Sequence, residues 1–224
     1  MIKEYIFNNA GITITETQEK AFEDYFNLLT EWNKKFNLTA ITEKNEVYVK
    51  HFADSVLGSF ALVQNAVVCD IGSGGGFPSV PLAIIRPDLR FVLLDSVNKK
   101  ITFLKEVINC LNLNAEAICA RAEEYEKRDY FDAVVVRAVA SVPTLLEYSA
   151  PLLKTGGKAV MYKTPSEDLF VSQNAQKVLS MSLTENKLFS LPNGDHRAIF
   201  VFSKTAPTDK KYPRKANKPR LNPL

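Results

Sequence analysis

Cysteine is scarce in this chain and carries no pattern. Cys69, Cys110 and Cys119 are the only three, an odd number without the paired spacing of a metal site. Cys69 and Cys119 fall in runs that read as strands, so buried free thiols in a reducing cytoplasm are expected. Long apolar runs are also lacking: none approaches the roughly 20 residues of a membrane helix. The start, Met1-Ile2-Lys3-Glu4, does not follow the charged-then-apolar order of a signal peptide. No internal repeat is visible. What remains, 224 residues with 46% hydrophobic and 24% charged, is the composition of one soluble domain with an extension.

The most informative stretch is Asp70-Ile71-Gly72-Ser73-Gly74-Gly75-Gly76-Phe77. It follows the apolar run Ala66-Val67-Val68-Cys69 and leads into the helical pattern Val80 to Ile85. Strand, glycine turn and helix in that order form the cofactor-binding element of doubly wound α/β folds. The spacing Gly72-x-Gly74-x-Gly76 is not the G-x-G-x-x-G that frames a pyrophosphate. Asp70, two positions before the first glycine, suits a cationic or hydroxyl-bearing ligand better than a diphosphate. S-adenosylmethionine, with an amino group, a sulfonium, ribose hydroxyls and no phosphate, answers that description. Asp95 ends the next apolar run, roughly 20 residues on, where such folds place an acid on the ribose. The competing reading makes Asp95 a helix cap; on the ribose reading, Ser96 becomes the cap.

A net charge of +3 hides an asymmetry. From Lys204 to Leu224 seven basic residues stand against one acid, Asp209, so that segment carries +6 and the remainder −3. Four prolines there (Pro207, Pro213, Pro219, Pro223) argue against a helix and for an extended, partly disordered arm. Such arms neutralise phosphates.

Residues 1–62 read as a helical extension: a capping-box pattern at Thr15 to Gln18 precedes apolar residues at helical spacing, and a second helix runs from about Asn45 to Leu62. Residues 63–204 then alternate. Strands are expected near 66–71, 90–95, 115–120, 131–137, 158–163, 184–190 and 197–203, with helices near 98–112, 141–153 and 166–180. This predicts an α/β, Rossmann-like doubly wound sheet, mostly parallel, ending in an antiparallel hairpin across Pro192-Asn193-Gly194. That is the seven-strand outline of class I methyltransferases. Residues 205–224 form the basic arm.

Polar residues cluster where the inferred strands end. Arg121-Ala122-Glu123 follows the third strand, where an amide and an acceptor could read an adenine, or where the acid could serve a helix N-terminus. Arg137 and Lys163 end two buried strands, and Lys99-Lys100 follow the Asp95 turn. Arg137 needs a partner: a ligand carboxylate, an active-site acid or an RNA phosphate could each serve. Cations around a pocket mouth suit a phosphodiester backbone. His51 and Asp54, three apart, read by spacing alone as a surface helix pair.

Taken together, Trp32-Asn33-x-x-x-Asn37-Leu38-Thr39, His51-x-x-Asp54-Ser55, the glycine loop with Phe77-Pro78, Leu93-Leu94-Asp95-Ser96, Arg121-Ala122-Glu123, Arg137-Ala138-x-Ala140 and the tail Tyr212-Pro213-Arg214-Lys215 resemble the bacterial 16S rRNA guanine-N7 methyltransferases, the glucose-inhibited division protein B family. The resemblance implies methyl transfer from S-adenosylmethionine to N7 of a guanosine in the decoding region, by a monomer acting in the cytoplasm on 16S rRNA or the small ribosomal subunit, without metal or membrane. It also implies that Gly72, Gly74, Phe77, Asp95, Ala122, Glu123 and Arg137 contact the cofactor beside Asp70. Asn37, His51, Arg121, Lys163 and Arg197 would shape the acceptor site. Lys99, Lys100, Lys210, Lys211, Arg214, Lys215, Lys218 and Arg220 would hold RNA. Guanine N7 needs no deprotonation, consistent with the absence of a Pro-Cys nucleophile and of an Asn/Asp-Pro-Pro-Tyr/Phe motif. The chain departs from the family at Ser79, where relatives carry glycine. A positive φ there would strain the loop and weaken cofactor binding. A small-molecule methyltransferase and a non-catalytic RNA-binding module are the other classes this composition allows.

Overall fold

The computed structural model describes residues 2–137 and 140–224. Seven strands form one sheet in the order β3-β2-β1-β4-β5-β7-β6: β1 (Val67–Ile71), β2 (Arg90–Asp95), β3 (Ala115–Cys119), β4 (Phe131–Arg137), β5 (Leu153–Lys163), β6 (Met181–Ser190) and β7 (His196–Lys204). The first five run parallel, and β7 lies antiparallel between β5 and β6. The strand order reverses between β1 and β4, the point where open α/β sheets leave a crevice beyond their carboxyl ends. A mostly parallel sheet closed by an antiparallel hairpin is the architecture that the alternation predicts.

Period-2 alternation divides the core. Val68, Phe91, Leu93, Val135 and Val160 face one layer, while Cys69, Ile71, Val92, Val134 and Val136 face the other. The first layer is covered by α1 (Ile2–Ala10), α2 (Glu16–Asn33), α5 (Ser79–Ile85) and α6 (Asn98–Cys110). The second is covered by α7 (Val142–Ser149) and α8 (Gln173–Leu179). Helix α2 starts at the expected capping box: Gln18 N–H donates to Thr15 Oγ1 at 3.2 Å and Thr15 N–H to Gln18 Oε1 at 2.9 Å. Its buried face, Phe22, Tyr25 and Leu29, lies in the same apolar cluster as the sheet. The helix expected from Asn45 changes pitch along its length: α3 (Lys44–Val47), a π-helical stretch Tyr48–Ala53, α4 (Asp54–Val56) and a 3-10 stretch Leu57–Ala61.

Four expectations are corrected. Residues 205–224 are not an extended arm: Thr208, Tyr212 and Pro219 are buried, and α9 (Lys218–Leu221) forms a helical turn. Its proline sits at the start, where the missing N–H costs nothing. Lys204, counted with the arm, is the buried last residue of β7, donating to Asp129 Oδ1 at 2.6 Å and Leu153 O at 2.7 Å. Cys119 is exposed because β3 is an edge strand. Ser79 opens α5 without a positive φ, so the loop carries no strain there.

Candidate active site

The glycine loop is built from backbone bonds. Gly72 and Ser73 N–H both donate to Leu94 O, at 2.8 and 3.0 Å, tying the end of β1 to β2. Gly74 N–H donates to Asp95 Oδ2 at 3.0 Å, and Val97 N–H to Asp95 Oδ1 at 2.9 Å. Asp95 therefore braces the loop, and the backbone N-cap of α6 is Val97, not Ser96. Gly72 and Gly74 take φ of 73° and 56°, and a Cβ on Gly74 would find only Gly72 O, at 3.8 Å. The loop is thus an open cradle whose backbone conformation L side chains avoid. From below, Tyr25 donates to Gly75 O at 2.5 Å, so the N-terminal helices set the loop's height.

Two openings flank this loop. The first lies between the glycine loop and the ends of β2 and β3; Gly72, Asp95, Ala122 and Glu123 line it. Acid, amides and open backbone fit a nucleoside carrying an amino acid. Arg121 is exposed on this side, 3.9 Å from Glu123, not in the second opening where the acceptor role would place it. The tail residues Asn217 and Arg220 also line the first opening.

The second opening is a cavity of about 450 Å³, within the ordinary range of ligand sites. It gathers His51, Asp54, Arg137, Lys163 and Arg197. Arg137 Nη1 donates to Asp54 Oδ2 at 3.0 Å and to Lys50 O at 3.2 Å, and Nη2 reaches His51 Nδ1 at 3.0 Å. The guanidinium can only donate to Nδ1, whereas Lys50 O, 3.2 Å from the same nitrogen, can only accept; Nε2 lies 2.7 Å from Thr39 Oγ1. Burial, then the Arg137 charge, push the His51 pKa down to about 3, against the pull of the Lys50 carbonyl. The ring is therefore neutral. Burial raises the Asp54 pKa while Arg137 and Arg197, the latter 3.4 Å from Oδ1, oppose it. His51 and Asp54 thus form no surface pair: His51 from the π-helical stretch and Asp54 from α4 both turn inward to meet Arg137. Lys163 donates to Ala140 O at 2.5 Å and pairs with Glu167 at 3.3 Å.

Phe77 is the wall next to the cavity. His51 stacks on it at 4.3 Å and the Arg137 guanidinium lies 4.9 Å from its ring centre. Arg137 accordingly faces the second opening and not the first. Asp70 lines neither opening. It is fully buried and neither carboxylate oxygen finds a well-formed hydrogen bond. Burial pushes its pKa up to about 7, against the nearby Ser79 and Ser73 hydroxyls and Arg137. Strand alternation explains the miss: Ile71 turns to the first opening, so its neighbour Asp70 turns away.

Asn37 is exposed and lines neither opening. Its neighbour Asn33 holds the turn, accepting from Leu38 and Thr39 N–H at 2.8 and 3.0 Å and donating to Thr39 O at 3.0 Å. That fixes Thr39 against His51. Among the proposed RNA contacts, Lys99 is exposed and stands 4.8 Å from the Phe36 ring, Lys100 reaches within 3.6 Å of Asp95, and Lys210, Lys211, Lys215 and Lys218 are exposed. Arg214 is engaged: Nη2 and Nε donate to buried Glu147 Oε2 and Oε1 at 2.7 and 2.9 Å. Sequence reading gave Asn33, Tyr25 and Asp54 no part in building the site; Asn33 and Asp54 stood only within the motifs that carry the resemblance.

The model of the family described as rRNA small subunit methyltransferase G matches residues 18–198. The chain belongs to that family. Across 224 aligned residues it is 44% identical to "Ribosomal RNA small subunit methyltransferase G" of Streptococcus agalactiae, covering 96% of this chain and 94% of that protein. Among solved structures, M. jannaschii TYW2 in complex with AdoMet superposes with a TM-score of 0.56 at 18% identity, over 67% of this chain and 74% of that one. The [4+2]-cyclase SpnF reaches 0.55 at 12% identity, over 70% of this chain and 82% of that one. A cyclase on the same scaffold shows that the fold does not set the reaction; family membership rests on the near-full-length similarity. Among the described residues, no group of side chains forms a metal site and no helix is long and apolar enough to cross a membrane.

Proposed function

We propose that this chain transfers a methyl group from S-adenosylmethionine to N7 of a guanosine in the decoding region of 16S rRNA, as a cytoplasmic monomer acting on the rRNA or the small subunit. The observation that carries the reading is a pair of openings: an open glycine cradle with Asp95 and Glu123, and a cationic cavity, backed by Phe77, that holds a neutral His51. Residues 63–204 supply the glycine loop and strand ends, residues 1–62 add Lys50, His51 and Asp54 to the second opening, and residues 205–224 add Asn217 and Arg220 to the first.

S-adenosylmethionine supplies an electrophilic methyl carbon. Gly72, Gly74, Asp95, Ala122 and Glu123 would hold it, with the carboxylates toward its ribose and base. Guanine N7 presents an in-plane lone pair, so the acceptor side needs alignment and no base. The cavity agrees: both His51 nitrogens are engaged and Asp54 is tied to two arginines. Its lining carries Lys50, Arg137, Lys163 and Arg197 against Asp54 and Glu167, an excess of two positive charges that suits phosphates flanking an inserted nucleotide. Neutral His51, backed by Phe77, lines the cavity and offers a flat face against which a purine can pack. These contacts work mainly by orientation, which is worth several kcal/mol in a displacement.

The test is transfer of labelled methyl to small-subunit RNA. Wild type should label it. Gly74→Val, which puts a β-branched side chain at φ 56° in the cradle, should keep its folded spectrum and lose labelling. Label from wild type in small molecules but not in RNA would overturn the reading.

A further inference from the structure

The basic tail is where composition and structure diverge most. Its charge suggests a solvated arm for phosphates, yet it is bolted to the sheet next to the first opening. Glu147, fully buried on α7, receives Arg214 through Nε, Nη2 and the Arg214 backbone N–H, the last at 2.8 Å. Thr144 Oγ1, one helical turn earlier, donates to Pro219 O at 2.8 Å. Arg128 Nη1 donates to Tyr212 O at 2.7 Å from the far side. Between these anchors Ala216 and Asn217 take φ of 56° and 58°, a double left-handed bend without glycine. Such a bend costs free energy and persists only where surrounding contacts impose it. Its effect is to bring Asn217 and Arg220 to the opening that Gly72, Asp95 and Glu123 line. Arg220 is also close enough to Tyr148, on the same wall, to lower its pKa against the effect of Glu123 and burial.

We infer that the docked tail is part of the cofactor site, with Arg220 and Asn217 closing the adenosine end of the cleft. The inference rests on the S-adenosylmethionine reading. Asp95 stands at the end of β2, where a ribose is held in this topology, so the base lies further toward β3, between Ala122-Glu123 and the tail. A guanidinium there can lie over the purine face or donate to its ring nitrogens, and the Asn217 amide can donate or accept at the rim. Arg220 then serves the cofactor, while Lys210, Lys211, Lys215 and Lys218 remain on the solvent side of the same segment.

Calorimetric titration of the full-length protein with S-adenosylhomocysteine tests this without turnover. Arg220→Ala should weaken binding about tenfold, the worth of one charge-assisted or cation–π contact. Lys105→Ala, removing the same charge from the exposed face of α6, should bind within about twofold of wild type. If wild type binds and Arg220→Ala binds equally well or more tightly, the inference falls and the cofactor reading stands. Equal weakening by Lys105→Ala would reduce the effect to net charge and overturn it as well. If wild type does not bind at all, the cofactor reading itself fails and takes the inference with it.

Discussion

His51 and Asp70 are both buried, with pKa values displaced in opposite directions, and their pH effects on stability should nearly cancel. His51 is held at about 3, below its ordinary 6.5. As pH falls through 6.5 the unfolded chain takes up a proton that the folded chain refuses, so this group's contribution, complete above 6.5, is lost toward 3. Between about pH 7 and about pH 5 the loss is about 2 kcal/mol. Asp70 is held at about 7, above its ordinary 3.8. The unfolded chain releases that proton through 3.8 while the folded chain keeps it, so stability is fullest below 3.8 and is lost as pH rises to 7. Over the same descent from about pH 7 to about pH 5, Asp70 restores about 2 kcal/mol. The perturbations are His51→Gln and Asp70→Asn, each read against wild type so that all other titrations drop out. Urea denaturation at the two pH values is the assay. Relative to wild type, His51→Gln should gain about 2 kcal/mol on acidification and Asp70→Asn should lose about 2 kcal/mol. Parallel pH profiles for wild type and both variants would refute the reasoning, because neither group would then be displaced.

The tail yields two further predictions. Arg214→Ala leaves Glu147 with one backbone donor in a buried site, which costs about 3 kcal/mol unless the tail lifts off to hydrate it. Trypsin should therefore cut residues 205–224 at least tenfold faster than in wild type; an unchanged rate would mean that the ion pair does not hold the tail. Lys210→Ala and Lys215→Ala, both at exposed positions, should each lower the salt slope of RNA binding by about one while leaving the fold intact. An unchanged slope would remove these lysines from the interface.

Strands β1, β2, β4 and β7 were legible as apolar runs rich in β-branched or aromatic residues, and alternation with helices then leaves few sheet orders. Pitch changes across Tyr48–Ala53 were not legible, since they answer to packing of His51 and Phe52 against Phe77 from another part of the chain. The glycine cradle and Asp95 could be found from spacing alone. Arg137 was seen to need a partner, but Asp54 supplies it across 83 residues, and local sequence holds no record of such distances. Asp70 shows a signal that was available and unused: period 2 puts it on the face away from Ile71. The tail misled because proline and lysine counts describe a segment in water, whereas one buried acid, Glu147, decides where it lies.

The central claim is methylation of guanine N7 in the decoding region, and mapping the modified nucleotide tests it most directly. Small subunits or 16S rRNA lacking this modification, incubated with the purified protein and S-adenosylmethionine, should show one new site of reductive cleavage at a guanosine in that region, the signature of N7-methylguanine. No cleavage, or methyl groups recovered on another base or atom, would contradict the account.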